Sequence, residues 1–172
     1  YLCFALRNWK GFESKAPLFG QAAKYAYETY GLTPVFAAVE KHLDPGAGRL
    51  AAAGLDIPHY FLDDAGSAGT IIGALSRMQA VVSMRLHALI FAAGQGIPLA
   101  GVVYDPKVSS FLRYIGQENF ADLDALTPDL LKSMIDRVAA APISPEEQEA
   151  AVRKLRQTEQ VNVETARRLL GV

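Results

Sequence analysis

The chain has 172 residues, 51% of them hydrophobic and 20% charged, with 17 Lys plus Arg against 18 Asp plus Glu and a formal net charge of -1. That balance excludes a general nucleic-acid or anionic-membrane surface, and the length suits one globular domain that buries roughly 70% of its unfolded surface without metals or disulfides. The single cysteine, Cys3, excludes an internal disulfide and, inside an apolar run, reads as a buried structural thiol of a reducing compartment.

The chain opens without Met in a strand-like run, Leu2 to Leu6, which suggests a domain cut from a longer protein; no secretory signal pattern stands at its start. Arg7 directly follows this strand, and Trp9, Phe12 and Lys15 in the next loop are candidates for a lid or for contact with a missing domain. A helix is expected over Pro17 to Tyr30, closed by Gly31, with Tyr25, Tyr27 and Tyr30 as packing residues. The second strand is expected from Val35 to Val39. After it, Asp44-Pro45-Gly46 reads either as an ordinary cap of a helix over Gly46 to Ala53 or as a carboxylate facing the same edge as Arg7.

A third strand over His59 to Leu62 is followed by Asp63 and Asp64, which favour turn and cap roles, and by a helix over Ala68 to Met78. His42 and His59 have no partner at metal spacing and read as loop or edge histidines. The fourth strand, Ala80 to Met84, runs into Arg85 and His87 in the first turn of a helix reaching Ala93. The apolar passage Ala88 to Tyr104 falls short of the ~20 residues that span a bilayer and is broken by Gly94, Gln95, Gly96 and Pro98, so it reads as helix, turn and strand.

The fifth strand, Leu99 to Tyr104, leads into Tyr104-Asp105-Pro106-Lys107, where aspartate caps, proline takes the first helical position and lysine falls in the first turn. That helix is expected to end at Tyr114, before a short strand over Asn119 to Ala121. Thr127-Pro128-Asp129 opens the next helix, with Leu131, Met134, Ile135 and Val138 as its apolar stripe. Ser144-Pro145-Glu146-Glu147 opens the last, which carries Arg167 and Arg168 before Gly171.

Alternating strands and helices predict an α/β fold: a Rossmann-like, mostly parallel sheet with helices on both faces, as a single domain over residues 1–172. Ligands of such sheets bind outside the carboxyl ends of the strands. Arg7, Arg85, His87 and Lys107 all fall there, and two helices begin with cations, against the macrodipole, unless an anion is held. The expected ligand is a phosphate or carboxylate. Gly66-Ser67-Ala68-Gly69 lacks the lysine and spacing of a P-loop, and no Gly-x-Gly-x-x-Gly follows the first strand, which disfavours ATPase and ordinary NAD readings.

The segment Ser83-Met84-Arg85-Leu86-His87-Ala88-Leu89-Ile90-Phe91-Ala92-Ala93, followed by Gly96-Ile97-Pro98 and Tyr104-Asp105-Pro106-Lys107, resembles the polysaccharide pyruvyl transferase family, in particular its bacterial cell-wall (CsaB-type) branch. The likeness includes Leu6-Arg7-Asn8-Trp9. It implies the C-terminal half of a two-domain glycosyltransferase-B arrangement, with phosphoenolpyruvate as donor substrate and no cofactor; no residue is singled out as a metal ligand, and metal dependence stays open. Transfer of the enolpyruvyl group to a glycan or lipid-linked saccharide would leave a pyruvate ketal and free phosphate.

By that resemblance His87 and Arg85 are catalytic, and Arg7, Arg85, Leu86 and Lys107 bind substrate, with a missing N-terminal domain as partner. His87 is expected to protonate the enol methylene, while Arg7 and Arg85 hold the donor and stabilise departing phosphate. One departure from the family pattern is Ala38, where a proline often stands ahead of an aspartate; it bears on the role of Asp44. The implied location is cytoplasmic, or peripheral at the inner membrane surface. The alternatives are a nucleotide-sugar-dependent glycosyltransferase donor domain and a noncatalytic anion-binding domain.

Overall fold

The computed structural model describes residues 1–140 and 144–171. Its strands are β1 (Leu2–Ala5), β2 (Pro34–Ala37), β3 (Tyr60–Leu62), β4 (Ala80–Ser83), β5 (Leu99–Val103) and β6 (Phe120–Asp122). Its helices are α1 (Phe12–Tyr30), α2 (Pro45–Ala51), α3 (Ala68–Leu75), α4 (Leu86–Gly94), α5 (Pro106–Tyr114), α6 (Pro128–Ala139) and α7 (Pro145–Leu170). All strand pairings are parallel, in the order β3-β2-β1-β4-β5-β6.

Strands β1, β4 and β5 are wholly buried, which is why they are continuous apolar runs rather than alternating ones. Within β1, Leu2 and Phe4 join the core beneath α1, α2 and α6, whereas Cys3 and Ala5 join the core beneath α3, α4 and α5. Burial pushes the Cys3 thiol up to about 12, as suits a structural cysteine. The chain leaves β1 toward one face and β4 toward the other, so the crevice between these neighbours is the topological switch point of the sheet.

The first helix begins at Phe12, five residues before the expected start, and Pro17 lies inside it. Proline there removes one intrahelical hydrogen bond. Two features outweigh that loss. Gly11 turns the chain in the left-handed region (φ 83°), and Phe12 is fully buried with its ring 5.7 Å from that of Phe19. Lys15 is consequently helical, its Nζ donating to the carbonyls of Asp124 and Leu126, both at 2.9 Å. Phe12 and Lys15 are therefore tied into the body of the domain rather than into a lid; Trp9 stays exposed in the loop.

The last helix has the expected capping box: Ser144 Oγ accepts from the Glu147 N–H, and Glu147 Oε2 accepts from the Ser144 N–H. It packs on α4, and Gly96 makes the approach possible. That residue has φ +67°, and a Cβ there would stand 2.6 Å from the carbonyl oxygen of Gln148. Among the described residues no helix is long and apolar enough to cross a membrane.

Candidate functional site at the switch point

Four strand ends, those of β1, β2, β4 and β5, build the site. Ser83, the fully buried last residue of β4, accepts from the Arg85 N–H at 2.8 Å through Oγ. Its hydroxyl proton faces the carbonyls of Ala5 (3.2 Å) and Arg85 (3.0 Å). One small hydroxyl thus joins the end of β1 to the turn that launches α4. Arg85 occupies the N-cap position of that helix with extended backbone (φ -83°, ψ 119°), and Leu86 and His87 form its first turn.

The Arg85 side chain is only 12% exposed and is held by Asp44, whose side chain is 0% exposed. Nε of Arg85 donates to both carboxylate oxygens, at 2.8 and 2.9 Å, and Nη2 donates to Oδ1. Oδ2 of Asp44 also accepts from the backbone N–H groups of Val39 (3.1 Å) and Glu40 (2.8 Å). Asp44 stands at the N-cap position of α2 but makes no side-chain cap bond, so the ordinary cap reading gives way to that of an ion-pair partner. Breaking a buried pair of this kind by removing one member costs about 3–5 kcal/mol, because a charge is left buried and uncompensated.

On the other side of the crevice, Nη1 of Arg7 donates to the phenol oxygen of Tyr104 at 3.0 Å. The guanidinium carbon lies 4.9 Å from the Trp9 ring centre and 5.4 Å from that of Tyr104, and the two rings are 4.8 Å apart. Lys107 falls in the first turn of α5, where Asp105 caps its N–H at 3.0 Å and lies 3.5 Å from its Nζ. That capping bond, with the lysine and arginine charges nearby, holds the Asp105 carboxyl below its ordinary range.

Clefts open along this edge, and two of them share the loop after β2. One, of about 920 Å³, is lined by Arg7, Trp9, Lys10, Ser14, His42 and Leu43 among others. The second, of about 460 Å³, is lined by His87, Phe91, Lys41, His42 and Ser67 among others, with His87 exposed and its ring 6.2 Å from that of Phe91. His42, which reads as a loop histidine from sequence, lines both. Arg85 and the half-buried Leu86 line neither, and among the described residues no hydrogen bond joins Arg7, Arg85, His87 or Lys107 to one another. The strand ends therefore gather these four on one edge with no hydrogen bond between them among the described residues.

The remaining candidates take structural roles. Asp63 pairs with Arg49 at 2.6 Å, which lowers its carboxyl from the ordinary range, and Asp64 accepts from the Gly66 N–H in a turn. His59 Nδ1 lies 2.8 Å from the Ile57 carbonyl, with its ring edge-on to Phe61. Tyr25 and Tyr30 both donate to Oδ1 of Asp136 at 2.7 Å, which ties α1 to α6. Ser83 and Tyr104 take site roles that the sequence does not assign to them, and it leaves the role of Asp44 open between two readings. A polar residue ending an apolar strand just before Arg85 was the available signal for the first.

No curated protein matches the sequence. Solved structures with the same fold include the glycosyltransferase of kitacinnamycin (15% identity, TM-score 0.59, covering 91% of this chain and 39% of that one). The calicheamicin glycosyltransferase CalG4 follows (19%, 0.52, 99% and 42%), as does glycosyltransferase VinC in complex with dTDP (15%, 0.54, 97% and 41%). The chain thus spans about two fifths of the length of each. The family model described as polysaccharide pyruvyl transferase matches residues 2–106. This span is more than half of the chain; it holds Arg7, Asp44, Arg85, Leu86, His87 and Tyr104 and stops one residue short of Lys107. On that match, the chain belongs to the polysaccharide pyruvyl transferase family.

Proposed function

We propose that this domain binds phosphoenolpyruvate and takes part in transferring its enolpyruvyl group to a pair of hydroxyls on one sugar of a glycan or lipid-linked saccharide, in cell-wall polysaccharide synthesis. The observation that carries the reading is the set of cationic side chains Arg7, Arg85 and Lys107, with His87, at the carboxyl edge of β1, β4 and β5. Two of these cations stand at helix N-termini. A donor with a carboxylate and a phosphate offers two anions to such an edge, and guanidinium groups meet either with paired donors.

In this reading His87 gives a proton to the methylene carbon C3, and one sugar hydroxyl forms a bond to C2 as it loses its own proton. The bond from C2 to the phosphate oxygen then breaks, and the second hydroxyl closes the ketal. Two hydroxyl protons are released: one replaces the proton that His87 gave to C3, and the other leaves with phosphate or solvent. Arg7 and Arg85 would hold the donor and steady the departing phosphate, with Lys107 as a further cation on that edge. A cytoplasmic or membrane-peripheral setting belongs to the same proposal.

The test is turnover of phosphoenolpyruvate in D2O with a panel of methyl glycosides bearing neighbouring diols. The expected product methyl group carries one deuterium and appears together with inorganic phosphate; His87→Ala abolishes both. Unchanged turnover in His87→Ala would remove the acid role from that residue, and turnover of a nucleotide-sugar in place of phosphoenolpyruvate would replace the reading altogether.

A further inference from the structure

We infer that Asp44 is a positioning residue for the donor site, acting through Arg85 and through the loop from Ala38 to Leu43; the inference rests on the phosphoenolpyruvate reading above. Its carboxylate collects Nε and Nη2 of Arg85 and the N–H groups of Val39 and Glu40, all on a side chain with no exposed surface. Those partners come from two strand ends on either side of β1. The loop that Asp44 closes supplies Val39, Glu40, Lys41 and His42 to the cleft of His87, and His42 and Leu43 to the cleft of Arg7. One buried carboxylate therefore fixes both an arginine of the site and the wall shared by its two clefts.

The chemistry of the pair sets what Arg85 can still do. A guanidinium has five N–H donors in a rigid plane. Asp44 takes the side-on fork formed by Nε and Nη2, and among the described residues Nη1 has no hydrogen-bond partner. Nη1 and the second Nη2 proton form the end-on fork, which remains for a ligand anion and whose direction Asp44 dictates. The arginine acts here as an aimed donor with its charge already balanced, rather than as a free cation.

This role predicts a sign that simple electrostatics does not. A carboxylate beside an anion site repels the anion, so its removal on charge grounds alone tightens binding. If Asp44 positions Arg85, Asp44→Asn instead weakens phosphoenolpyruvate binding at least tenfold in a calorimetric titration, while cooperative thermal unfolding is retained. A second variant, Asp44→Glu, keeps the charge but displaces the fork and weakens binding as well; it carries the test if the Asn variant does not fold. Because Asp44 acts in part through Arg85, the loss caused by Asp44→Asn is smaller in the Arg85→Gln background than in the parent.

Binding in Asp44→Asn that equals or exceeds that of the parent would overturn the inference, as would an undiminished loss in the Arg85→Gln background. The donor reading fails separately, on the parent protein. If the parent binds inorganic phosphate but not phosphoenolpyruvate, the same variants read with phosphate still decide the role of Asp44. A parent that binds neither ends both claims.

Discussion

Nη1 of Arg7 and the phenol oxygen of Tyr104, 3.0 Å apart, join the loop after β1 to the end of β5 across the intervening strand β4. The phenol orients a guanidinium that already lies against two aromatic rings. Tyr104→Phe keeps both rings and removes only the acceptor, and a hydrogen bond to a charged group contributes enough that phosphoenolpyruvate affinity should fall about 5- to 10-fold. Calorimetric titration checks this beside a thermal melt, which should change little; unaltered affinity would mean that the rings alone hold Arg7.

Arg85→Ala should lower the unfolding free energy by about 3–5 kcal/mol, since it strands the Asp44 carboxylate in the core. Adding Asp44→Asn should recover a large part of that loss, because the neutral amide has far less desolvation to compensate. Urea unfolding of the two variants measures the difference. Equal stability of the single and double variants would contradict the buried pairing.

The capping carboxylate of Asp105 makes a pH-dependent contribution. Its value is lowered in the folded chain, first by the Lys107 N–H that it caps, so in the acid range the unfolded chain binds the proton more readily. The stabilisation is fully present above its ordinary value of about pH 4 and is lost as pH falls through the lower folded-state value. Asp105→Asn retains a cap without the charge. The Tm difference between parent and variant should therefore shrink between pH 5 and pH 2, and a constant difference would place the effect elsewhere.

Gly96→Ala should destabilise the domain by roughly 1–3 kcal/mol, because the position has φ +67° and the new methyl group meets the Gln148 backbone. Faster hydrogen exchange in the first half of α7 should accompany the lower Tm. An unchanged Tm with unchanged exchange would show that α7 tolerates the shift.

Much of this architecture is legible in the sequence for a definite reason. Strands buried on both faces, such as Ala80–Ser83 and Leu99–Val103, write themselves as uninterrupted apolar runs, and caps such as Ser144 and Asp105 mark helix starts. Pro17 misleads because a helix-starting proline and an interior one look alike until the burial of Phe12 decides between them. Arg7, Arg85, His87 and Lys107 are legible as edge residues because each follows a strand. Their partners are not: Asp44 is 41 residues from Arg85 and Tyr104 is 97 from Arg7, separations that carry no periodic signal. Only the order of the sheet brings them together.

The central claim, that the carboxyl edge of this sheet holds phosphoenolpyruvate, is tested most directly by titrating the 172-residue protein with that compound, using phosphate, UDP and dTDP as competitors. The account predicts saturable binding that phosphate displaces, that the nucleotides displace poorly, and that Arg7→Ala abolishes. Tighter binding of either nucleotide, or no saturable phosphoenolpyruvate binding at all, would contradict it.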